Sequence, residues 1–354
     1  MPRIVSVGTA VPEHTLMQEE AREFARELFR DTFSDIDRYL PIFENSTIQT
    51  RRLARPREWF EEERPFSERN DAYTETACHL GELALERCLA AAGVTAQEID
   101  HLFFVSTSGI ATPSIDARLV HRLDFSCHVK RTPIWGLGCA GGAVGLARAY
   151  EYARAFPESR VMLLAVELCS LTFRRGDRTK SNLVATSLFA DGAAAVLMIG
   201  DQVPLGREVI HCPQIIDTLS TTWPDSLDVM GWEVDNDGLR VVFSRDIPTL
   251  VRREVRPAVE GFLSRSGLEI DRLDRVIAHP GGMKVLSAYE ETLGLAPDIL
   301  GLSRSVLGEY GNMSSVTVLF VLEKELGQEH QEGNYGLLTA LGPGFSSEMM
   351  LLQW

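Results

Sequence analysis

"EIDHLFFVS" (residues 98–106) returns later in the chain as "RLDRVIAHP" (272–280), so that Asp100 answers Asp274 at an offset of 174. "GCAGGAVGLARAYEYA" (138–153) resembles "GNMSSVTVLFVLEKEL" (311–326), which pairs Cys139 with Asn312 at an offset of 173. "LLAVEL" (163–168) resembles "LLTALG" (337–342), again at 174. Three separated anchors that agree within one residue point to a tandem duplication. The predicted fold is therefore α/β, with two βαβ-rich halves, 1–200 and 201–354, packed as one unit.

The elements around the anchors fit that plan. Ala77, Leu80, Ala84 and Cys88 form a helical stripe over 71–92, and Gly93 is a stop signal. "HLFFVSTSG" (101–109), "PIWGL" (133–137) and "VMLLAVEL" (161–168) read as strands, with a helix over 139–156 between the last two. "MPRIVSVGTAVPEHT" (1–15) reads as a first strand, since it lacks the charged, apolar and cleavage regions of a signal peptide. The longest apolar stretches are strand-sized, so no membrane span is expected.

Composition narrows the function. With 45% hydrophobic and 24% charged residues, a packed globular chain is expected. A net charge of −15 argues against nucleic-acid and anionic-membrane binding. The six cysteines (78, 88, 127, 139, 169 and 212) show no metal-ligand spacing and fit reduced thiols in the cytoplasm. "RRLARPR" (51–57) is a local exception to the acidic balance, readable as a solvated turn or as a clamp for a phosphorylated ligand.

Cys139 sits between glycines where an apolar run turns into a helix. Exposed N–H groups and the helix dipole favour an anion there, and a thiol so placed is expected to fall to roughly 3.5–7.5. The glycines leave room for a substrate to approach. Under the duplication, His279 ends the strand "RVIAH" at the position of Ser106, and a pseudo-twofold axis would bring it together with Cys139 and Asn312. Asn312 can donate hydrogen bonds, and His279 can donate or accept. Two donors beside a thiolate suit a developing enolate or oxyanion, hence acyl transfer to sulfur followed by carbon–carbon bond formation. The sequence signature of papain-like cysteine proteases is absent.

"GLGCAGG", "IAHPGG", "GNMSS" and "ALGPGFSSE" together resemble the type III polyketide synthases, the chalcone-synthase-like branch of the thiolase superfamily. "WGLGCAGG", "ELCSLTF", "TKSNL", "DVMGW" and "VVFSRDIPTLV" are similar to bacterial alkylpyrone synthases. The resemblance implies a thiolase-like, layered αβαβα architecture, a homodimer, and fatty acyl-CoA and malonyl-CoA as substrates, with no cofactor or metal. It implies Cys139 as nucleophile and His279 and Asn312 as the groups that stabilise the malonyl-derived enolate. It places Phe189 at a gate, with Val241 or Phe243 as the second gate residue. Thr107, Thr112, Thr172, Gly231 and Ser314 match lining positions, and Gly342, Pro343, Gly344 and Phe345 match the loop that shapes the cavity beside the cysteine. Arg51, Arg52 and Arg55 become the expected contacts to CoA phosphates. Two other readings compete: an initiating ketoacyl synthase, which shares Cys, His and Asn, and a non-catalytic acyl-binding partner subunit, which usually lacks the nucleophile. "GNMSS" and "GPGF" favour the polyketide branch.

Overall fold

The computed structural model describes residues 1–204, 212–244, 246–296 and 298–354. Its main sheet has nine strands among the described residues. They are β1 (Arg3–Ala10), β4 (His101–Val105), β5 (Lys130–Ile134), β6 (Arg160–Leu168), β7 (Asp191–Ile199), β8 (Gln214–Thr222), β11 (Leu273–Ala278), β12 (Tyr335–Gly342) and β13 (Ser346–Gln353). Two two-stranded sheets stand apart: β2 (His14–Met17) with β3 (Thr50–Leu53), and the hairpin β9 (Met230–Asp235) with β10 (Gly238–Phe243).

The strand order β11-β12-β13-β8-β1-β7-β6-β4-β5 carries one pattern twice. Outward from the middle, β1 meets β7 antiparallel, β7 meets β6 antiparallel, and β6 meets β4 parallel. On the other side β8, β13, β12 and β11 repeat those three relations. Among the described residues, β1 and β8 share one register pair, Arg3–Gln214. The Asp100 carboxylate accepts the Arg160 N–H at the start of β6, and Asp274 accepts the Tyr335 N–H at the start of β12, both at 2.8 Å. The sequence anchor at the two aspartates thus corresponds to one contact made twice.

Strand alternation sorts the side chains into layers. Phe103, Leu163, Val196, Leu338 and Met350 face a central pair of helices, α5 (Gly141–Ala155) and α10 (Thr317–Leu326), in one buried cluster drawn from both sets of strands. The alternate residues Leu102, Leu164 and Leu197 pack on α3 (Phe66–Ala92). Val276, Leu337 and Leu351 pack on α7 (Ile247–Ser264) and α8 (Met283–Leu293). The result is five layers, helix–sheet–helix–sheet–helix. Gly93 adopts φ 64° and caps α3 as the sequence predicts.

Two expectations shift. The strand expected at 133–137 lies at Lys130–Ile134, so Trp135–Leu137 form the turn that delivers Cys139. The helix starts also match differently. A 3₁₀ turn, Gly138–Ala140, leads into α5 at Gly141, and Ser314–Val316 leads into α10 at Thr317. By position the counterpart of Cys139 is Ser315, and Asn312 lies two residues before its turn. A slip of three residues keeps nearly the same face of a helix apolar, so the hydrophobic pattern alone does not separate the two alignments.

Candidate functional site

The two helix starts touch at the centre of the molecule. A Cβ on Gly142 would lie 2.1 Å from the Ser315 carbonyl oxygen, so only glycine allows this approach. Gly138 leaves room for Pro343 in the same way, and Gly342 packs on Ala140, which seats the loop 342–345 over the Cys139 turn. Gly231, at the start of the β9–β10 hairpin, faces Pro343 from the other side. Phe345 is fully buried against Trp223 with ring centroids 5.1 Å apart. The loop's predicted place beside the cysteine is the place it takes.

A chain of contacts links the three central residues. The Ser314 side chain lies beside Cys139 and acts to lower the pKa of its thiol. The Ser314 N–H donates to Asn312 Oδ1 at 2.8 Å, and Asn312 Nδ2 donates to the Gly281 carbonyl at 3.2 Å. Gly281 lies against the His279 ring, and the His279 backbone N–H donates to the Thr339 carbonyl. Ser314 has φ 49°, a left-handed conformation a serine rarely adopts, and its bond to Asn312 holds it there. One Asn312 amide hydrogen is therefore engaged and the second is free to donate.

The electrostatics differ from the sequence expectation at Cys139. The residue keeps part of its surface open, yet burial of the sulfur dominates and pushes the thiol up to about 11, against the lowering influence of Ser314. His279 is buried and both ring nitrogens lack a protein partner, and burial holds its pKa down to about 4. Burial thus works against both charged forms, the Cys139 thiolate and the His279 imidazolium. A neutral imidazole with an unoccupied nitrogen can accept the thiol proton when a thioester arrives.

Glu167 carries a signal the sequence reading missed. It lies near the end of a fully buried strand, where burial raises its carboxyl to about 7. It accepts the Thr107 N–H at 3.0 Å and the Ser315 hydroxyl at 2.7 Å. Thr107 Oγ1 in turn accepts the Gly138 N–H at 3.2 Å. One carboxyl thereby ties the Cys139 turn to its counterpart. A lone carboxylate inside the apolar run "VMLLAVEL" is the sequence clue.

The expected gate and lining residues divide into two sets. Phe189 is buried and packs against Phe243 at 5.6 Å and Trp232 at 6.0 Å, with Val241 in the same cluster. Both expected second-gate residues therefore meet Phe189. Val241, Phe189 and Thr172 also line a cavity with about 710 Å³ of empty space, part of it open to solvent. Beside Cys169 that cavity is lined by Leu16, Phe24, Leu53, Phe60 and Phe173, an apolar wall no sequence motif announced, and Arg51, Arg57, Arg174 and Arg240 also border it. Thr112 does not join the lining: it is exposed in the turn before Ile115–Arg122.

The arginine clamp does not assemble. Arg51 and Arg52 are consecutive on β3, so they face opposite ways. Arg51 is buried and donates to the Phe189 carbonyl at 2.9 Å. Arg52 reaches the Glu13 carbonyl, and Arg55 pairs with Glu75 and Thr76. Among the described residues, no group of three or more His, Cys, Asp or Glu side chains is placed to hold a metal ion, and no helix is long and apolar enough to cross a membrane.

Comparison with known proteins agrees with this geometry. Residues 2–202 match the N-terminal domain of chalcone and stilbene synthases, and 214–354 match the C-terminal domain. The chain is 45% identical over 361 residues to a putative chalcone synthase of Bacillus subtilis (strain 168), spanning all of this chain and 99% of that protein. It is 39% identical over 352 residues to a 1,3,6,8-tetrahydroxynaphthalene synthase of Streptomyces peucetius subsp. caesius, covering 99% and 93%. A solved 1,3,6,8-tetrahydroxynaphthalene synthase of Streptomyces coelicolor A3(2), a bacterial type III polyketide synthase, superposes with a TM-score of 0.93 at 29% identity over 99% of both chains.

Proposed function

Because this chain belongs to the chalcone and stilbene synthase family of type III polyketide synthases, we propose that it extends a medium or long fatty acyl-CoA starter with malonyl-CoA and releases an alkylpyrone. The observation that carries the starter class is the apolar cavity running from Cys169 and Phe189 to Phe24 and Phe60. A fatty chain gains about 0.8 kcal/mol for each methylene it buries there. A homodimer acting in the cytoplasm belongs to the same reading.

The chemistry follows from the pair at rest. His279 accepts the Cys139 proton as the sulfur attacks the starter thioester, and the imidazolium returns that proton to the departing CoA thiolate. The acyl group is then bound to Cys139. Malonyl-CoA next places its thioester oxygen between the His279 N–H and the free Asn312 amide hydrogen. Loss of carbon dioxide leaves an enolate whose oxygen those donors hold. The enolate carbon attacks the acyl-cysteine carbonyl and the Cys139 thiolate leaves, so the lengthened chain is now a CoA thioester; before each further round Cys139 attacks that thioester and CoA departs. After further rounds an enol oxygen of the chain attacks its own thioester carbonyl, which closes the pyrone and frees the thiol.

The name of the Streptomyces peucetius relative favours a second reading, an aromatic product built without a fatty starter. Product analysis with malonyl-CoA and even-numbered acyl-CoA starters separates the two. We expect kcat/KM to rise with chain length until the cavity is filled and then fall, with each starter incorporated into its pyrone. A naphthalene product from malonyl-CoA alone, with starters ignored, would replace the first reading by the second.

A further inference from the structure

Arg51 owes its position to strand alternation. β3 pairs with β2, and Arg51, opposite Leu16, turns inward and is only 3% exposed. Its aliphatic stem lies against Gly311, where an added Cβ would fall 2.8 Å from Arg51 Cγ. Its Nη1 donates to the Phe189 carbonyl, while Nε and Nη2 have no protein partner. A buried guanidinium gives up much of its solvation to stand there; it lines the cavity shared with Cys169 and Phe189, and its protein contacts bear on one structural joint.

That joint is the isolated parallel bridge between Phe189 and Asn312. The Asn312 N–H donates to the Leu188 carbonyl, and the Ala190 N–H donates to the Asn312 carbonyl, each at 2.9 Å. No ladder continues on either side, so two backbone bonds fix the residue whose amide faces the enolate. Arg51 contacts both edges of the joint, Phe189 through its carbonyl and Gly311 through packing. We propose that Arg51 is a positioning residue that sets Asn312 for malonyl decarboxylation, and that it does not serve as a CoA-phosphate contact. The inference rests on the role assigned to Asn312 above.

The test measures two half-reactions on the same samples: decarboxylation of malonyl-CoA alone to acetyl-CoA, and acylation of Cys139 by a fatty acyl-CoA, read by mass spectrometry. In Arg51→Met, kcat for decarboxylation should fall at least tenfold with KM for malonyl-CoA changing little, and acylation should fall much less. Arg51→Lys keeps a donor and a methylene stem and should recover most of the loss. The ratio of the two rates is independent of the folded fraction. If Arg51→Met does not fold, Arg51→Lys and Arg51→Gln should still lower the ratio in that order. Equal losses in both half-reactions, or a ratio unchanged across the series, would overturn the proposal. A rise in KM for malonyl-CoA with kcat intact would return Arg51 to the phosphate-contact role. Asn312→Ala is the reference: wild-type decarboxylation in that variant would remove the underlying assignment, whatever Arg51 does.

Discussion

The two helix starts at the centre of the molecule share one backbone plan, a 3₁₀ turn opening into an α-helix, but not one composition. The first, "GCAGG", holds the nucleophile candidate and removes side chains wherever the other turn approaches. The second, "SSVT", keeps its side chains and uses them: Ser314 lies beside the Cys139 thiol and lowers its pKa, and Ser315 donates to Glu167. Close approach needs glycine on one side only. Of the two equivalent turns, one carries the candidate nucleophile and the other supplies the side chains that surround it.

The largest effect should come from breaking that division of labour chemically. Cys139→Ala should reduce polyketide formation to background, since the helix start then offers no nucleophile. Asn312→Ala should lower malonyl decarboxylation by on the order of 100-fold or more, as loss of one enolate donor does, with far less effect on acylation of Cys139. His279→Ala should lower both half-reactions, because the imidazole takes the thiol proton and also donates to the enolate. Product analysis for the first variant and half-reaction assays for the others check this. Intact acylation in His279→Ala would remove its role as proton acceptor.

A second variant breaks the packing asymmetry. Gly142→Ala places a methyl 2.1 Å from the Ser315 carbonyl oxygen, a backbone atom that moves only if the turn moves. Overpacking of a core costs about 1–3 kcal/mol where side chains can shift, and here none can. We expect little soluble protein, and a clearly lower melting temperature for whatever folds. Gly261→Ala, with nothing near its Cβ, is the control on a helix surface. Equal melting temperatures for the two variants would show that the turns are not in the contact described.

The same asymmetry explains what the sequence discloses. The paired aspartates and strand β6 are legible because strand caps and continuous apolar runs are local features. The meeting of Cys139, His279 and Asn312 is legible because a duplication implies an axis, even though the helix registers differ by one turn. The direction of Arg51 is not legible, because four arginines in seven residues look alike until alternation on β3 separates Arg51 from Arg52. The thiol's upward shift is hidden for a related reason. Helix position is written in sequence, while the depth of burial that outweighs it arises from segments far along the chain, such as the loop of Pro343 packed on Gly138.

The smallest expected effect sharpens the comparison through Glu167, which bonds Ser315 of one turn directly and reaches Gly138 of the other through Thr107. Burial raises its carboxyl from 4.5 to about 7, so between those values the folded chain holds a proton that the unfolded chain has released. Stability from this group therefore falls as pH rises from about 4.5 to about 7 and is level above that. Asp191, raised from 3.8 to about 6, has the same sign in a lower window. His279, lowered from 6.5 to about 4, has the opposite sign, since the unfolded chain binds the extra proton there. Glu167→Gln removes only the first contribution, so the difference between variant and wild type isolates it. That difference should shift in the variant's favour from pH 5 to pH 7.5 by at most about 3 kcal/mol, at about 1.4 kcal/mol per unit of displacement. It should then stay constant to pH 9. Denaturant unfolding at five pH values provides the measurement. A difference that does not vary with pH would mean that Glu167 is ionised throughout, and that an anion, not a proton-sharing carboxyl, ties the nucleophile's turn to its counterpart.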